Sequence, residues 1–417
     1  MESKANIEYN DDELEPPTWL NAQLFTEVLS SYEKAPELKV NDIKISPASA
    51  KGDHYASVMF RGIIDYTTQK GTFSKALICK TMPEQEGHKK EMLGNSYVFE
   101  TEIGMYSKIL PKFEEILRKA GDETTLCVPC LYYSLEPQKL LIFEDLVPQG
   151  YSVIRDRDVS MDELKAAYSK LAKWHAVSLY VQQEQPDSLK EFKHGMFSMP
   201  NIIDDPFVKD GMRQFLKFLE SVPELTKYIP YFKSIESTYL EQTRKTLEEY
   251  RENRQANCYY VLSHGDYHAR NMLFKHRNGN LEDCMLVDFQ ISNMCPITMD
   301  LIYSIYMLMG PNDRHNNYKE LINFYFSVFV KTLQKIDYKG ELPKLDELWA
   351  QMGRHKEYDL FLFSTFFPLI CAMRTNASAL TAAITNEEVR QKLYFSKDFI
   401  EEAKIILPRF EKLGYLK

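Results

Sequence analysis

The chain has 417 residues, 44% of them hydrophobic and 13% aromatic, and carries a formal net charge of −9. That is ample apolar material for a large core spread over two or three domains. The acidic balance argues against a nucleic-acid-binding surface as its main business, and seven scattered cysteines, an odd number, suit a reducing cytosol better than a disulfide framework.

Residues 1–16 are polar and acidic, with no apolar stretch of signal-peptide length, and are expected to form a mobile segment of a cytoplasmic protein. Leu20, Leu24, Val28 and Leu29 then recur at helical spacing after Pro16 and Pro17, which predicts a helix over Trp19–Tyr32 on the back of a first lobe. Four short apolar runs follow, Ile43–Ile45, Ala56–Phe60, Ile63–Tyr66 and Phe73–Cys79, with Gly52, Gly62 and Gly71 between or within them. They predict an antiparallel meander that ends at Lys80. A helix is predicted over Ser96–Leu110, with Phe99, Ile103, Tyr106 and Leu110 on one face and Glu102 beside that face.

Strands are predicted at Cys130–Leu135 and from Leu140 to Phe143, the second running into Glu144-Asp145-Leu146. Cys127-Val-Pro-Cys130 has half-zinc-site spacing but no second pair, and reads as coincidence. After Ser160, which can form a capping box with Glu163, the chain is mainly helical. Leu164, Tyr168, Leu171, Trp174 or His175, and Ser178 trace an inward face, with His175 a packed structural histidine. Tyr239–Tyr250 is a charged amphipathic helix, and the dense aromatics from Tyr303 to Phe367 read as core. The longest apolar run, Leu360–Met373, holds Ser364, Thr365 and Pro368 and falls short of the roughly 20 residues that span a bilayer, so it reads as a buried helix.

The chemistry lies in residues 258–290. Tyr259–Leu262 and Met272–Phe274 are strand-type runs, and Arg277-Asn278-Gly279-Asn280 is hairpin-turn chemistry because Gly and Asn tolerate positive φ. A further run, Met285–Val287, ends at Asp288. Such a hairpin brings Asp266, Asn271 and Asp288 to one end of a small sheet. Phosphoryl transfer needs this set: an Asp that accepts the proton of the attacking hydroxyl, an Asn five positions on that holds one metal, and a second Asp after a strand that holds both.

His264-Gly265-Asp266-x-His268-x-x-Asn271, followed by Val287-Asp288-Phe289-Gln290, resembles the motif of the choline-kinase and aminoglycoside-phosphotransferase branch of the protein kinase-like fold. Within that branch the sequence most resembles the insect ecdysteroid kinase-like family. It departs from protein kinases at Gly265, where those have Arg, and at Gln290, where those have Gly, and it has no Ala-Pro-Glu segment. Control by a phosphorylated activation loop is therefore not expected.

The resemblance implies an α+β, two-lobed protein kinase-like fold, with a small antiparallel β-rich N-lobe over 17–145 and a large helical C-lobe over 146–417. It implies ATP and Mg²⁺ as cofactors. Asp266 would be the base, Asn271 and Asp288 the metal ligands, and Lys80 the phosphate clamp, with Glu102 its orienting partner and Glu100 the alternative. Gly52, Asp53, Tyr55 and Ser57 match the family's nucleotide-covering turn, and the main chain of Phe143, Glu144, Asp145 and Leu146 would meet adenine. Asp300 resembles the family's Asp that supports the catalytic loop, although a helix N-cap is compatible with it.

The expected activity is transfer of the ATP γ-phosphoryl group to a hydroxyl of a small molecule, with no nucleic-acid partner and no membrane span. Cationic acceptors call for a carboxylate cluster or an aromatic cage, and Leu301–Gly310 and Leu360–Met373 hold aromatics but no Asp or Glu. A neutral steroid-like or xenobiotic alcohol is thus the expected acceptor. The alternatives are a choline-, ethanolamine- or aminoglycoside-type kinase, or a non-catalytic nucleotide-binding member. A metallophosphoesterase, suggested by Gly265-Asp266-x-His268, lacks the further histidine ligands such sites need.

Overall fold

A computed structural model describes residues 14–48, 57–84, 88–198, 203–373, 383 and 386–417. The segment expected to be mobile lies almost wholly outside the described residues. The first helix, Ala22–Glu33, starts at Asn21, whose side chain accepts from the amides of Gln23 and Leu24. Its Phe25, Val28 and Leu29 pack into a core with Phe60, Ile64, Leu77 and Ile142 of a five-stranded sheet.

That sheet contains β1 Lys39–Pro47, β2 Val58–Thr68, β3 Gly71–Thr81, β4 Cys130–Ser134 and β5 Leu140–Glu144, in the order β1-β2-β3-β5-β4. All its pairings are antiparallel. The meander predicted from the sequence breaks at Gly62, whereas β2 runs straight through it, paired with Leu77. A side chain at 62 would meet Ile64 at 3.2 Å and Phe25 at 3.5 Å, so this glycine admits the first helix onto the sheet rather than turning the chain. The turn itself falls at Gly71, whose φ of +131° requires glycine.

The helix predicted at 96–110 is longer. It runs from Val98–Gly104 through a π-helical turn, Met105–Ile109, into Leu110–Lys119. Pro111 stands just after the π-helical turn, and the helix continues past it.

The second core is much larger and includes the helices Met161–Glu184, Thr298–Met307 and Tyr318–Lys335. Ser160 and Glu163 form the capping box at the head of the first of these. Two small sheets lie within this lobe: β7 Tyr260–Ser263 with β10 Asn293–Pro296, and β6 Tyr151–Ser152 with β8 Met272–Arg277 and β9 Asn280–Leu286. The sequence reading placed Asp266, Asn271 and Asp288 at the end of one hairpin, but only the last two belong to it. Asp266 follows β7, which pairs with β10 rather than β8. No helix among the described residues is long and apolar enough to cross a membrane.

Candidate active site

The β8–β9 hairpin closes through Asn278 and Gly279, both at positive φ, with Arg277 opposite Asn280. That is the two-residue turn whose twist matches the flanking strands. Its other end pairs Met272 with Leu286, and one step further the Val287 amide donates to the Asn271 carbonyl at 3.1 Å. Asn271 and Asp288 therefore leave the same sheet end. Asp288 sits at φ +66°, a strained left-handed conformation that Asp tolerates better than most residues and that gathers at functional sites.

Asp266 arrives on a loop fixed from below. Asp300, in the Thr298–Met307 helix, accepts the amide of His264 at 2.7 Å and that of Gly265 at 2.9 Å. His175 binds the same carboxylate at 3.1 Å and reaches the Tyr325 hydroxyl at 2.6 Å. Asp300 thus holds the loop and not its own helix terminus. Burial works against its charge, but His175, His264 and the Gly265 amide hold its carboxyl below the usual range. Gly265 has φ +85°, and a Cβ there would lie 2.5 Å from the Ile291 carbonyl oxygen. The arginine that protein kinases carry at this point has no room here.

Both oxygens of Asp266 are engaged. Tyr303 donates to Oδ1 at 2.6 Å, while Asn271 Nδ2 and His268 Nε2 lie 3.1 and 3.3 Å from Oδ2. Burial opposes ionisation, yet His268 and the Tyr303 hydroxyl outweigh it and hold the carboxyl well below its ordinary range. His268 moves the opposite way: burial would lower it, but Asp266 raises it. The Asp266 side chain keeps 21% of its surface open, so a ligand hydroxyl can reach it. Sequence reasoning took Tyr303 for core. Its only signal was a tyrosine one helical turn after Asp300 on an otherwise apolar face.

Lys80, on β3, is buried and donates to Glu102 Oε2 at 2.5 Å and Asp288 Oδ1 at 2.8 Å, with Gln290 Oε1 at 3.4 Å. Burial would strip its proton, but Asp288 and Glu102 raise it, so it stays an ammonium. Burial raises Glu102 in turn, against the pull of Lys80. Glu100 turns instead to Lys139, at 2.8 Å. Phe289, fully buried, is clamped between the rings of Trp174, His264 and Tyr106, with centroids at 5.0, 5.1 and 5.3 Å. The Asp288 backbone is thereby fixed from both sides of the cleft.

The remaining expected nucleotide contacts are unevenly placed. Gly52, Asp53 and Tyr55 lie outside the described residues, while Ser57 is buried just before β2. At the end of β5 the Glu144 amide is spent on the Pro129 carbonyl and the Asp145 amide on that of Ala76, each at 3.0 Å. The Asp145 side chain binds Arg61 at 2.6 Å and the Val147 amide at 3.0 Å. Phe143 packs its ring on Tyr106. Of the amides at 144–147, only that of Leu146 has no hydrogen-bond acceptor among the described residues.

The donor set at the hairpin end suits a hard cation. Asn271 spends its amide nitrogen on Asp266, at 3.0 Å to the carbonyl and 3.1 Å to Oδ2, which leaves its oxygen as a ligand. Lys80 takes only Oδ1 of Asp288. Two oxygen donors, with the rest of an octahedral shell left to phosphate and water, match Mg²⁺. Among the described residues no group of three His, Cys, Asp or Glu side chains makes a self-sufficient metal cage.

A sequence model of the ecdysteroid kinase-like family matches residues 51–338. Two solved structures align with the chain: a GDP complex of a mutant aminoglycoside 2'-phosphotransferase-IIIa, 11% identical over 95% of this chain and 99% of that one with a TM-score of 0.35, and a GDP and kanamycin complex of APH(2")-IIIa, 11% identical over 93% and 98% with a TM-score of 0.34. No curated protein matches the chain.

Proposed function

The chain belongs to the ecdysteroid kinase-like family, and from that premise we propose that it is an ATP-dependent small-molecule kinase whose acceptor is a hydroxyl of a neutral, apolar compound. The observation that carries this reading is the meeting of Lys80, Glu102 and Asp288 across the two lobes, beside an Asp266 that both shares a hydrogen bond with Asn271 and stays open to solvent.

In this reading, nucleotide lies between the sheet-bearing lobe, residues 17–145, and the helical lobe, residues 146–417. The Leu146 amide meets adenine and Lys80 meets the phosphates. Asn271 and Asp288 hold Mg²⁺, which neutralises phosphate charge. Asp266 is too weakly basic to take the proton from a free alcohol. It accepts a hydrogen bond that aims the hydroxyl, and takes the proton as the oxygen turns acidic on meeting phosphorus.

Glu102→Gln should lower kcat/KM by about 10–100-fold, the worth of one charge-assisted hydrogen bond of about 1.5–3 kcal/mol. Lys80 would then be drawn wholly to Asp288. Glu100→Gln, which frees only Lys139, should have little effect, and the reverse order of losses in steady-state kinetics would reassign the partner.

Tyr303→Phe removes the donor on Asp266 Oδ1 and so raises the carboxyl. Because the active form is the carboxylate, lost as pH falls through its pKa, the acid limb of the kcat/KM profile should move to higher pH. A profile superimposable on that of the wild type would leave Tyr303 a packing residue only.

For the acceptor, support comes from Asp359, the acid that immediately precedes the Leu360–Met373 run. Asp359 is buried and bonded to the Tyr306 hydroxyl, and burial raises its carboxyl despite Arg409. It offers little to a cation. In a panel at matched concentrations, a hydroxylated steroid or aromatic alcohol should show higher kcat/KM than choline, ethanolamine or kanamycin. A cationic acceptor ahead by about tenfold, or 1.4 kcal/mol, would reject the neutral class while leaving the kinase reading intact.

A further inference from the structure

The irregular segment from Gln185 to Gly195, between the Met161–Glu184 helix and the short turn Met196–Ser198, lies along the helix that carries Glu102. It runs antiparallel to that helix: the Tyr97 ring stacks on His194 with centroids 3.9 Å apart, Phe192 meets Gly104, Lys108 pairs with Glu191 at 3.1 Å, and Lys112 donates to Gln185. The two lysine contacts join exposed side chains and contribute little. The Phe192 contact is buried, with 2% of that residue exposed.

Gly104 has ordinary helical backbone, φ −58° and ψ −40°, so what calls for glycine here is the close approach: a Cβ would lie 3.2 and 3.3 Å from Cζ and Cε1 of the Phe192 ring. Neighbours in an α-helix stand about 100° apart around its axis, which puts residue 104 at the back of the helix when Glu102, two positions earlier, reaches forward to Lys80 at 2.5 Å. The ring is a backstop. Its own residue is fixed from the helical lobe. The Met294 amide donates to the Phe192 carbonyl at 2.8 Å, and Gly195 lies so close to Asn293 that a Cβ there would be 2.5 Å from Nδ2. Asn293 and Met294 belong to β10, in which Asn293 pairs with Ser263, the residue before His264. One residue therefore touches, through its main chain, the sheet that launches the Asp266 loop and, through its ring, the helix that carries Glu102.

We propose that Phe192 is a positioning residue for the phosphate clamp: packed against Gly104, it sets where Glu102 meets Lys80, and so where the ammonium stands for the phosphates. This rests on the reading of Lys80 given above. The helix that carries Glu102 is then held by a built-in contact of the helical lobe rather than by a segment that must first be switched. Because the ring is buried and its main chain is bonded to β10, a methyl added at 104 displaces the helix rather than the ring, by a few tenths of an ångström.

Calorimetric titration of the full chain with Mg-ATP and, separately, with adenosine tests this without an acceptor. Adenosine has no phosphates, so a displaced Lys80 does not affect it. Gly104→Ala should weaken Mg-ATP binding by about 3–10-fold, a fraction of the roughly 100-fold that misplacement by about 1 Å can cost. Adenosine affinity should stay unchanged, and the melting temperature should not fall, since alanine is the better helix former. Phe192→Leu alone should also weaken Mg-ATP binding by about 2–5-fold, because the helix loses its stop. Joined to Gly104→Ala, it should restore affinity to within about twofold of wild type, since leucine lacks the two ring carbons nearest position 104 and the new methyl takes part of their space. If Phe192→Leu does not fold, Phe192→Met, whose flexible end can yield, takes its place. On top of Glu102→Gln, Gly104→Ala should cost less than about twofold. Gly104→Ala at wild-type affinity, an equal loss for adenosine, single losses that add instead of cancelling, or a full further loss on top of Glu102→Gln would each overturn the proposal. Wild-type protein that binds adenosine as tightly as Mg-ATP would instead remove the clamp role of Lys80, and the proposal with it.

Discussion

Asp266→Asn is expected to lower kcat by about 10²–10⁴-fold, the usual worth of a positioned proton acceptor, while the melting temperature and ATP affinity stay close to wild type. The local geometry explains why the fold should tolerate the change. Oδ2 accepts from Asn271 and lies beside His268, whereas Oδ1 meets only the Tyr303 hydroxyl. An amide can keep its oxygen on the first side and turn its nitrogen toward the second, because a phenol accepts as readily as it donates. Every heavy-atom contact survives, and only the proton of the Tyr303 hydroxyl loses its acceptor. What disappears is the acceptor for the substrate proton, together with the negative charge that raises His268. Steady-state turnover, thermal melting and nucleotide calorimetry on one preparation separate these effects, and turnover near that of the wild type would sink the assignment of Asp266.

Much of this arrangement was legible in the sequence because the decisive spacings are local. Asp-x4-Asn is spanned by one loop, and the Asn-Gly turn fixes the register that brings Asn271 beside Asp288. Lys80 and Glu102 were legible for a different reason: each stands at a recognisable point of a periodic element, a strand end and a helix face. What escaped depends on packing between distant elements. Gly62 reads as a break until Phe25 is seen against it. Tyr303 is one of many aromatics on helices, and nothing in its neighbours announces that it reaches back 37 positions to Asp266. The partner of β7 could not be read either, since pairing with β10 is a tertiary choice that local propensity does not specify. Asp300 lay between the two: the resemblance implied support of the catalytic loop and its place at a helix start was compatible with capping, and the amides it binds are those of the loop.

Asp288→Ala is expected to abolish the Mg²⁺-dependent part of ATP binding. The carboxylate holds Lys80 through Oδ1 and keeps 14% of its side chain exposed, so on the proposed roles its loss would remove a cation ligand and at the same time release the ammonium that would face the phosphates. Two charges of opposite sign change roles together. Binding of ATP without metal should therefore persist or strengthen as Mg-ATP binding fails, an inversion that simple unfolding cannot produce. Backbone strain must be separated from this effect, because position 288 sits at φ +66°, where alanine carries a penalty of about 1–2 kcal/mol that Asp and Asn partly escape. Asp288→Asn is the control: it tolerates the left-handed backbone and can still accept from Lys80, but brings no negative charge to the metal. Its melting temperature should match wild type, with Mg-ATP affinity reduced nearly as far as in the alanine variant. Calorimetry showing unchanged Mg-ATP affinity in Asp288→Asn would mean that the metal is held elsewhere and that Asp288 serves only to anchor Lys80.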